Sequence, residues 1–78
     1  MRKQKIFVIE DNRTETMIFK LAFSGIPEVD VSYFADGESL LAALGQEPSI
    51  LILDMMLPDI NGLDLIKKVK QTDLDCDF

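Results

Sequence analysis

The sequence of 78 residues predicts a single α/β domain, in which a parallel sheet carries helices on both faces. Strand-like and helix-like segments alternate three times along the chain, which is the order expected of strand–helix–strand units. The first and third strand-like segments contain the wholly apolar runs IFVI and ILIL, which are typical of strands buried on both faces of a parallel sheet. A chain of this length can form one domain, and no linker or internal repeat divides it.

The first strand–helix unit begins with the predicted strand Lys5–Glu10, a β-branched and aromatic run that stops at the acidic residues Glu10 and Asp11. Asn12 can accept hydrogen bonds from the first turn of a helix, and we predict that helix over Arg13–Phe23. Apolar residues one turn apart are expected to form its inner face: Met17, Ile18, Leu21 and Ala22. Four phenylalanines are expected in or near the core: Phe7, Phe19, Phe23 and Phe34.

The other four elements follow in the same alternating order. We predict a strand over Val29–Phe34, a helix over Glu38–Leu44, a strand over Ile50–Leu53 and a helix over Gly62–Lys70. The inward residues of these two helices are expected to be Leu40, Leu41, Leu44, Ile66 and Val69. Residues 71–78 are polar and acidic and are expected to fray, so the predicted domain of residues 1–78 has its core in residues 5–70.

The composition limits the partners of this domain. With 8 basic and 14 acidic residues, the chain has a net charge of −6, which opposes nucleic-acid phosphates and favours metal cations and basic protein surfaces. No run of 18 apolar residues is present, so we expect no membrane span. The basic start of the chain is followed by an apolar run too short for an export signal. A lone cysteine, Cys76, cannot form an intrachain disulfide, and we therefore expect a cytoplasmic protein.

Three carboxylates follow strands of the predicted sheet: Glu10 and Asp11 after the first strand and Asp54 after the third. If those two strands are neighbours, the three groups meet in the crevice beyond the carboxyl ends of the sheet. Like charges this close require a proton or a cation, and a set of oxygen ligands suits Mg²⁺. A bound Mg²⁺ would accept the oxygens of a phosphoryl group, which makes Asp54 a candidate nucleophile that forms an acyl phosphate.

For either group of acids alone, a role as a helix cap or a solubilising loop residue is an equally good interpretation. The stretch LILDMMLPDINGLDL favours the chemical role of Asp54. It combines a buried strand that ends at an acid with Pro58, which restricts the loop, and Gly62, where the chain re-enters a helix.

Three motifs together carry a family resemblance. KIFVIEDN, FADGESLLAAL and ILILDMMLPDINGLDLIKKVK, within Lys5–Lys70, resemble the opening three strand–helix units of bacterial response-regulator receiver domains. The resemblance implies a flavodoxin-like sheet with strand order 2-1-3, and it implies that Asp54 accepts phosphate from a sensor histidine kinase or phosphotransfer protein. It further implies that Asp11, Asp54 and the backbone carbonyl of Met56 bind Mg²⁺ directly, and that Glu10 acts through water. The chain is then a phosphoacceptor and not an enzyme.

The chain departs from the family pattern after its third unit. Receiver domains have five strands, and the fourth and fifth supply a Ser or Thr and a Lys that bind the phosphoryl oxygens. We therefore expect a truncated receiver domain without an output domain. Two other interpretations stay open: a module that cannot be phosphorylated and acts by interaction or dimerisation, and a fragment of a longer regulator. Because the outer edge of Ile50–Leu53 would be unpaired, we also expect a homodimer through that edge.

Overall fold

The computed structural model describes residues 3–71, and its elements follow the predicted order. They are the strand β1 (Gln4–Ile9), the helix α1 (Arg13–Phe23), the strand β2 (Val29–Phe34), the helix α2 (Gly37–Ala42), a 3₁₀ turn (Leu44–Gln46), the strand β3 (Ile50–Leu53) and the helix α3 (Gly62–Lys70). The helix predicted over Glu38–Leu44 begins one residue earlier, and at its end it tightens into the 3₁₀ turn. The greater part of the predicted fraying tail, and Cys76 with it, lies outside the described residues.

The three strands form one parallel sheet in the order β2-β1-β3, which confirms the prediction. In the register of this sheet, Ile9 at the end of β1 lies opposite Phe34 of β2 and Leu53 of β3. The three strands therefore end together at one edge. Glu10 and Asp54, which directly follow Ile9 and Leu53 in the sequence, are therefore neighbours at that edge.

One face of the sheet carries the larger part of the core. Phe7 and Ile9 point to this face, and the Phe7 ring lies 4.8 Å from the ring of Phe34, measured between centroids. Helices α2 and α3 cover it, with Leu40, Leu44, Leu65 and Val69 buried against Leu51 of the sheet. Of the residues predicted to point inward, Leu40, Leu44 and Val69 are confirmed as buried and Leu41 packs against them. Ile66 is half-buried and does not belong to this cluster. Leu65 of α3 is also fully buried, although it was not among the residues predicted to point inward.

Helix α1 lies on the opposite face, where Ile6 and Val8 of β1 are buried. The predicted inner face of α1 is wrong: Met17, Ile18 and Leu21 are 62%, 59% and 70% exposed, and Ala22 is exposed as well. The half-buried positions are instead Thr16, Phe19 and Phe23, which also recur one turn apart. Because the two phenylalanines have the larger apolar area and stack with centroids 6.4 Å apart, they occupy the side toward the sheet.

No helix within residues 3–71 is long and apolar enough to cross a membrane. The longest, α1, has 11 residues.

Two leucine-to-alanine variants test this distribution of buried surface. Leu65→Ala removes a side chain with 0% exposure and should lower the free energy of unfolding by about 2–5 kcal/mol, because a cavity remains in the core. Leu21→Ala, the matched control on α1, removes a side chain that is 70% exposed and should change stability by about 0.5 kcal/mol or less. Urea unfolding followed by circular dichroism measures both values. A loss in Leu21→Ala as large as that in Leu65→Ala would show that the outer side of α1 is buried in solution.

Candidate functional site

The sheet places Glu10 and Asp54 next to each other at its carboxyl edge. The backbone N–H of Glu10 donates to the carbonyl of Phe34 at 2.9 Å, and the N–H of Asp54 donates to the carbonyl of Ile9 at 3.0 Å. Both residues are thus held by the strand ladder at the point where their strands end. Their side chains project into the space beyond the sheet, and both are half-buried.

A third carboxylate joins them, and it is Glu15 of α1. One carboxylate oxygen each from Glu10, Glu15 and Asp54 lie within 4.8 Å of one another, an arrangement that could hold a metal ion. Asp11, for which the family resemblance implied a role as a direct ligand, is not a member of this group within residues 3–71. Its side chain is exposed and lines a neighbouring groove of about 440 Å³ between α1 and the end of β2.

The start of α1 explains how Glu15 reaches the cluster. The side-chain oxygen of Asn12 accepts the N–H groups of Thr14 and Glu15, at 2.9 and 3.1 Å, so Asn12 is the predicted N-cap. In the usual capping box, a Glu at the position of Glu15 would in turn accept the N–H of Asn12. Here a side-chain oxygen of Glu10 accepts that N–H at 3.1 Å. The Glu15 carboxylate lies instead with the other two acids.

The Asn-x-x-Glu spacing was the sequence signal that could have drawn attention to Glu15. It points to a capping role, however, and the contact between Glu15 and the two strand-end acids depends on how α1 is rotated against the sheet. That rotation is the feature that the hydrophobic pattern of α1 predicted wrongly.

Burial and the neighbouring acids change the protonation of Glu10. Burial is the main cause that raises its pKa from 4.5 to about 7; the carboxylates of Glu15 and Asp54 add to this shift, and the N–H of Asn12 opposes it. Near neutral pH the cluster therefore holds a proton unless a cation replaces it. Carboxylate oxygens in such a group are the ligands that Mg²⁺ prefers, so the residues present suit this ion.

The loop after Asp54, Met55–Asn61, is closed at its base. The N–H of Gly62 donates to the carbonyl of Met55 at 2.9 Å, and Met56 and Asn61 form an antiparallel bridge. A side chain at Gly62 would have its Cβ 2.8 Å from the Cα of Met55, so glycine is required for this closure. The N–H of Met56 donates to Oδ1 of Asp54 at 3.1 Å, which ties the loop to the acid. The side chain of Met56 is 81% exposed, so only its backbone belongs to the site.

Residues 6–77 match the family model of the response regulator receiver domain. The chain belongs to this family. The resemblance inferred from the three sequence motifs is thereby confirmed, and the parallel sheet in the order β2-β1-β3 has the flavodoxin-like arrangement of receiver domains.

Two full-length relatives show the extent of the match. The chain is 37% identical over 70 residues to the transcriptional regulatory protein CpxR of Klebsiella pneumoniae, covering 87% of the chain and 29% of the relative. It is 30% identical over 71 residues to the transcriptional regulatory protein TrcR of Mycobacterium tuberculosis, covering 90% of the chain and 27% of the relative. The chain thus spans less than a third of the length of these relatives.

Solved structures agree at the level of the fold. The receiver domain of nitrogen regulatory protein C superposes with a TM-score of 0.78 at 29% identity, covering 92% of this chain and 58% of that one. The MaeR response regulator superposes with a TM-score of 0.84 at 22% identity, covering 99% of this chain and 63% of that one. The match to the family model and to the two relatives identifies the chain as a receiver domain of a two-component response regulator, and the solved structures agree with its fold.

The raised pKa of Glu10 predicts how stability depends on pH in metal-free buffer. The folded protein keeps the Glu10 proton up to about pH 7, whereas the unfolded chain loses it above 4.5, so raising the pH across this window favours unfolding. Glu10→Gln cannot ionise and should lack this component. Urea unfolding in the presence of a chelator, at several pH values between about 4 and 8, should show the variant gaining stability relative to the wild type as the pH rises.

Glu28→Gln is the control, because Glu28 is exposed and lies outside the acidic cluster. Its stability should follow the wild-type curve at every pH. If the curve of Glu10→Gln also runs parallel to that of the wild type, Glu10 does not hold a proton in the folded protein.

Proposed function

We propose that this receiver domain accepts a phosphoryl group on Asp54 from the phosphohistidine of a sensor histidine kinase or phosphotransfer protein. The observation that supports this most strongly is the position of Asp54, at the end of β3 beside Glu10 and Glu15 and tied to the backbone of Met56. These 78 residues contain no histidine, so the phosphohistidine of the donor lies outside them. In this function the domain is a phosphoacceptor and not an enzyme.

The reaction is an in-line transfer from nitrogen to oxygen. The Met56 N–H holds Oδ1 of Asp54, and we assign Oδ2 as the atom that attacks phosphorus. The phosphorus–nitrogen bond of the donor breaks as the phosphorus–oxygen bond of an acyl phosphate forms, and the bonding electrons return to the imidazole of the donor. The Met56 N–H supports this step because it fixes the orientation of the carboxylate before the donor arrives.

We propose Mg²⁺ as the cofactor, held by Asp54 and, as the family resemblance implies, by Asp11 from the edge of the neighbouring groove and by the backbone carbonyl of Met56, with Glu10 acting through water. The acidic cluster supports an ion at this place, since three carboxylates within 4.8 Å of one another repel unless positive charge or a proton lies between them. When bound, Mg²⁺ supplies positive charge to the phosphoryl oxygens. Glu15 extends the ligand set that the family resemblance implied.

Phosphorylation by a small-molecule donor tests this function without a cognate kinase. With acetyl phosphate and Mg²⁺, we expect the chain to gain one phosphoryl group, which intact-mass spectrometry at mildly acidic pH will detect. Asp54→Asn should abolish the adduct because an amide oxygen cannot form the acyl phosphate. Asp30→Asn is the matched control, since Asp30 is exposed on β2 and should leave the modification unchanged.

Equal labelling of Asp54→Asn and the wild type would place the phosphate elsewhere. A folded wild-type chain that gains no phosphate would favour the alternative function, a receiver-like module that acts by interaction alone. The same experiment on a longer regulator that contains this segment would then test whether the segment is a fragment.

We also propose that the chain forms a homodimer through the outer edge of β3. Among residues 3–71, β3 is an edge strand and carries only apolar side chains. Ile50 and Ile52 on its α1 side are half-buried, and Ile18 of α1 is exposed on the same face of the sheet. An edge of this kind, without charge or proline, favours pairing with a second strand, and two copies related by a two-fold axis would satisfy both edges.

A lysine at either edge of the sheet tests the dimer. Ile52→Lys places a charge on β3 and should shift the chain from dimer to monomer, because edge lysines oppose strand pairing. Val31→Lys is the matched control on β2, the other edge, where the native residue is also half-buried. Light scattering over a range of concentrations should show a dimer for the wild type and Val31→Lys only. A monomeric wild type, or dissociation by both variants, would contradict pairing through β3.

The charge of the chain limits its proposed partners. A net charge of −6 opposes the phosphates of nucleic acids and the acidic surface of membranes, so we propose that the chain binds other proteins and binds neither nucleic acids nor membranes. We propose the cytoplasm as the location of the chain, since a lone thiol such as that of Cys76 favours a reducing compartment.

A further inference from the structure

Asp59, at the tip of the Met55–Asn61 loop, binds the start of α2. Its Oδ1 accepts the N–H of Gly37 at 2.9 Å, and its Oδ2 accepts the N–H of Glu38 at 2.9 Å. These N–H groups belong to the first turn of a helix, where no carbonyl of the helix itself is available to them. The two hydrogen bonds, led by that of Gly37, hold the pKa of the Asp59 carboxyl below its usual value, so the charged form makes the contact.

Two aspartates accept the backbone N–H groups in the first turn of α2. Asp36, the N-cap, accepts the N–H of Ser39 at 2.8 Å, and Asp59 accepts the N–H groups of Gly37 and Glu38. Asp36 belongs to the helix it caps, whereas Asp59 comes from a loop 21 and 22 residues away in the sequence. Asp59 therefore joins two parts of the chain, and Asp36 does not.

The contact between the loop and α2 is close. A Cβ on the buried Gly37 would clash with Cγ2 of Ile60, so this glycine allows the loop to approach the helix. Leu57 and Ile60, on either side of Asp59, are half-buried and pack against the core. The tip of the loop is therefore fixed by two charged hydrogen bonds and two apolar contacts.

The other end of the same loop is bonded to Asp54. As described above, the N–H of Met56 donates to Oδ1 of Asp54, and the N–H of Gly62 closes the base of the loop onto Met55. The loop is thus a short, doubly fixed bridge between the acceptor carboxylate and the start of α2. A displacement of its tip must be absorbed at its base, where Met56 lies.

We propose that Asp59 is a positioning residue for the acceptor site: by holding the loop against α2 it fixes the backbone of Met56, and through it the carboxylate of Asp54. Its effect on metal binding rests on the proposed function, whereas its effect on the loop does not. Asp59 does not touch the acceptor, and its side chain is exposed. Groups that orient a ligand from outside the ligand set commonly change metal affinity by about 10–100-fold when removed.

The experiment compares three variants under conditions in which each is folded. Asp59→Ala removes both hydrogen bonds, Asp59→Asn keeps one acceptor oxygen, and Asp36→Ala removes a cap from the same helix without touching the loop. Amide hydrogen exchange of Met56 and Gly62 reports on the loop. A Mg²⁺ titration followed by the NMR shifts of the Glu10 and Asp54 amides reports on the site.

We expect Asp59→Ala to speed exchange at both amides and to weaken Mg²⁺ binding by about tenfold, with Asp59→Asn between it and the wild type. Asp36→Ala should leave both measurements near the wild-type values. Unchanged exchange in Asp59→Ala would overturn the proposal, and so would equal effects of Asp36→Ala, which would trace them to the stability of α2.

A wild-type chain that does not bind Mg²⁺ would contradict the proposed cofactor. The exchange rates of Met56 and Gly62 would still decide whether Asp59 fixes the loop. The two failures are therefore distinguishable.

Discussion

The parallel pairing of β1 with β3 is the constraint on which the acidic site depends. Because Ile9 lies opposite Leu53 in the register, the next residue of each strand, Glu10 and Asp54, must emerge together. A shift of this register by one residue would send every side chain of β3 to the other face and would separate the two acids. The apolar side chains that fix the register in the core are therefore also what brings like charges into contact.

The burial of the two faces of the sheet is unequal. Helices α2 and α3 cover one face with fully buried leucines, whereas α1 contributes no fully buried residue to the other. The firmly packed side also receives the tip of the loop that follows Asp54, through Leu57 and Ile60. The carboxylate of Asp54 is thus supported from the better packed half of the molecule. The opposing acid Glu15 belongs to the more loosely packed half.

The strands could be predicted from the sequence because wholly apolar runs and turn residues are local signals. Their order came from the resemblance to receiver domains, not from these signals. The side of α1 that faces the sheet could not be predicted, since apolar residues occupy several sides of this helix and the 3.6-residue period does not select among them. Glu15 was missed for the same reason. Asp59 contacts Gly37 and Glu38, which lie 22 and 21 positions away in the sequence. No local sequence pattern predicts that a carboxylate caps a helix so distant in the chain. Sequence spacing gave the acids of the strand ends, and tertiary packing supplied the rest of the site.

In the loop after Asp54, the main chain and the side chains have different roles. Its contact with Asp54 is made by a main-chain atom, the N–H of Met56, and its base is closed by the carbonyl of Met55, which accepts the N–H of Gly62. Its outward surface includes the side chains of Met55 and Met56, which are 55% and 81% exposed. These side chains can therefore be replaced, which alters what an approaching protein meets, while the main-chain contact with Asp54 stays the same.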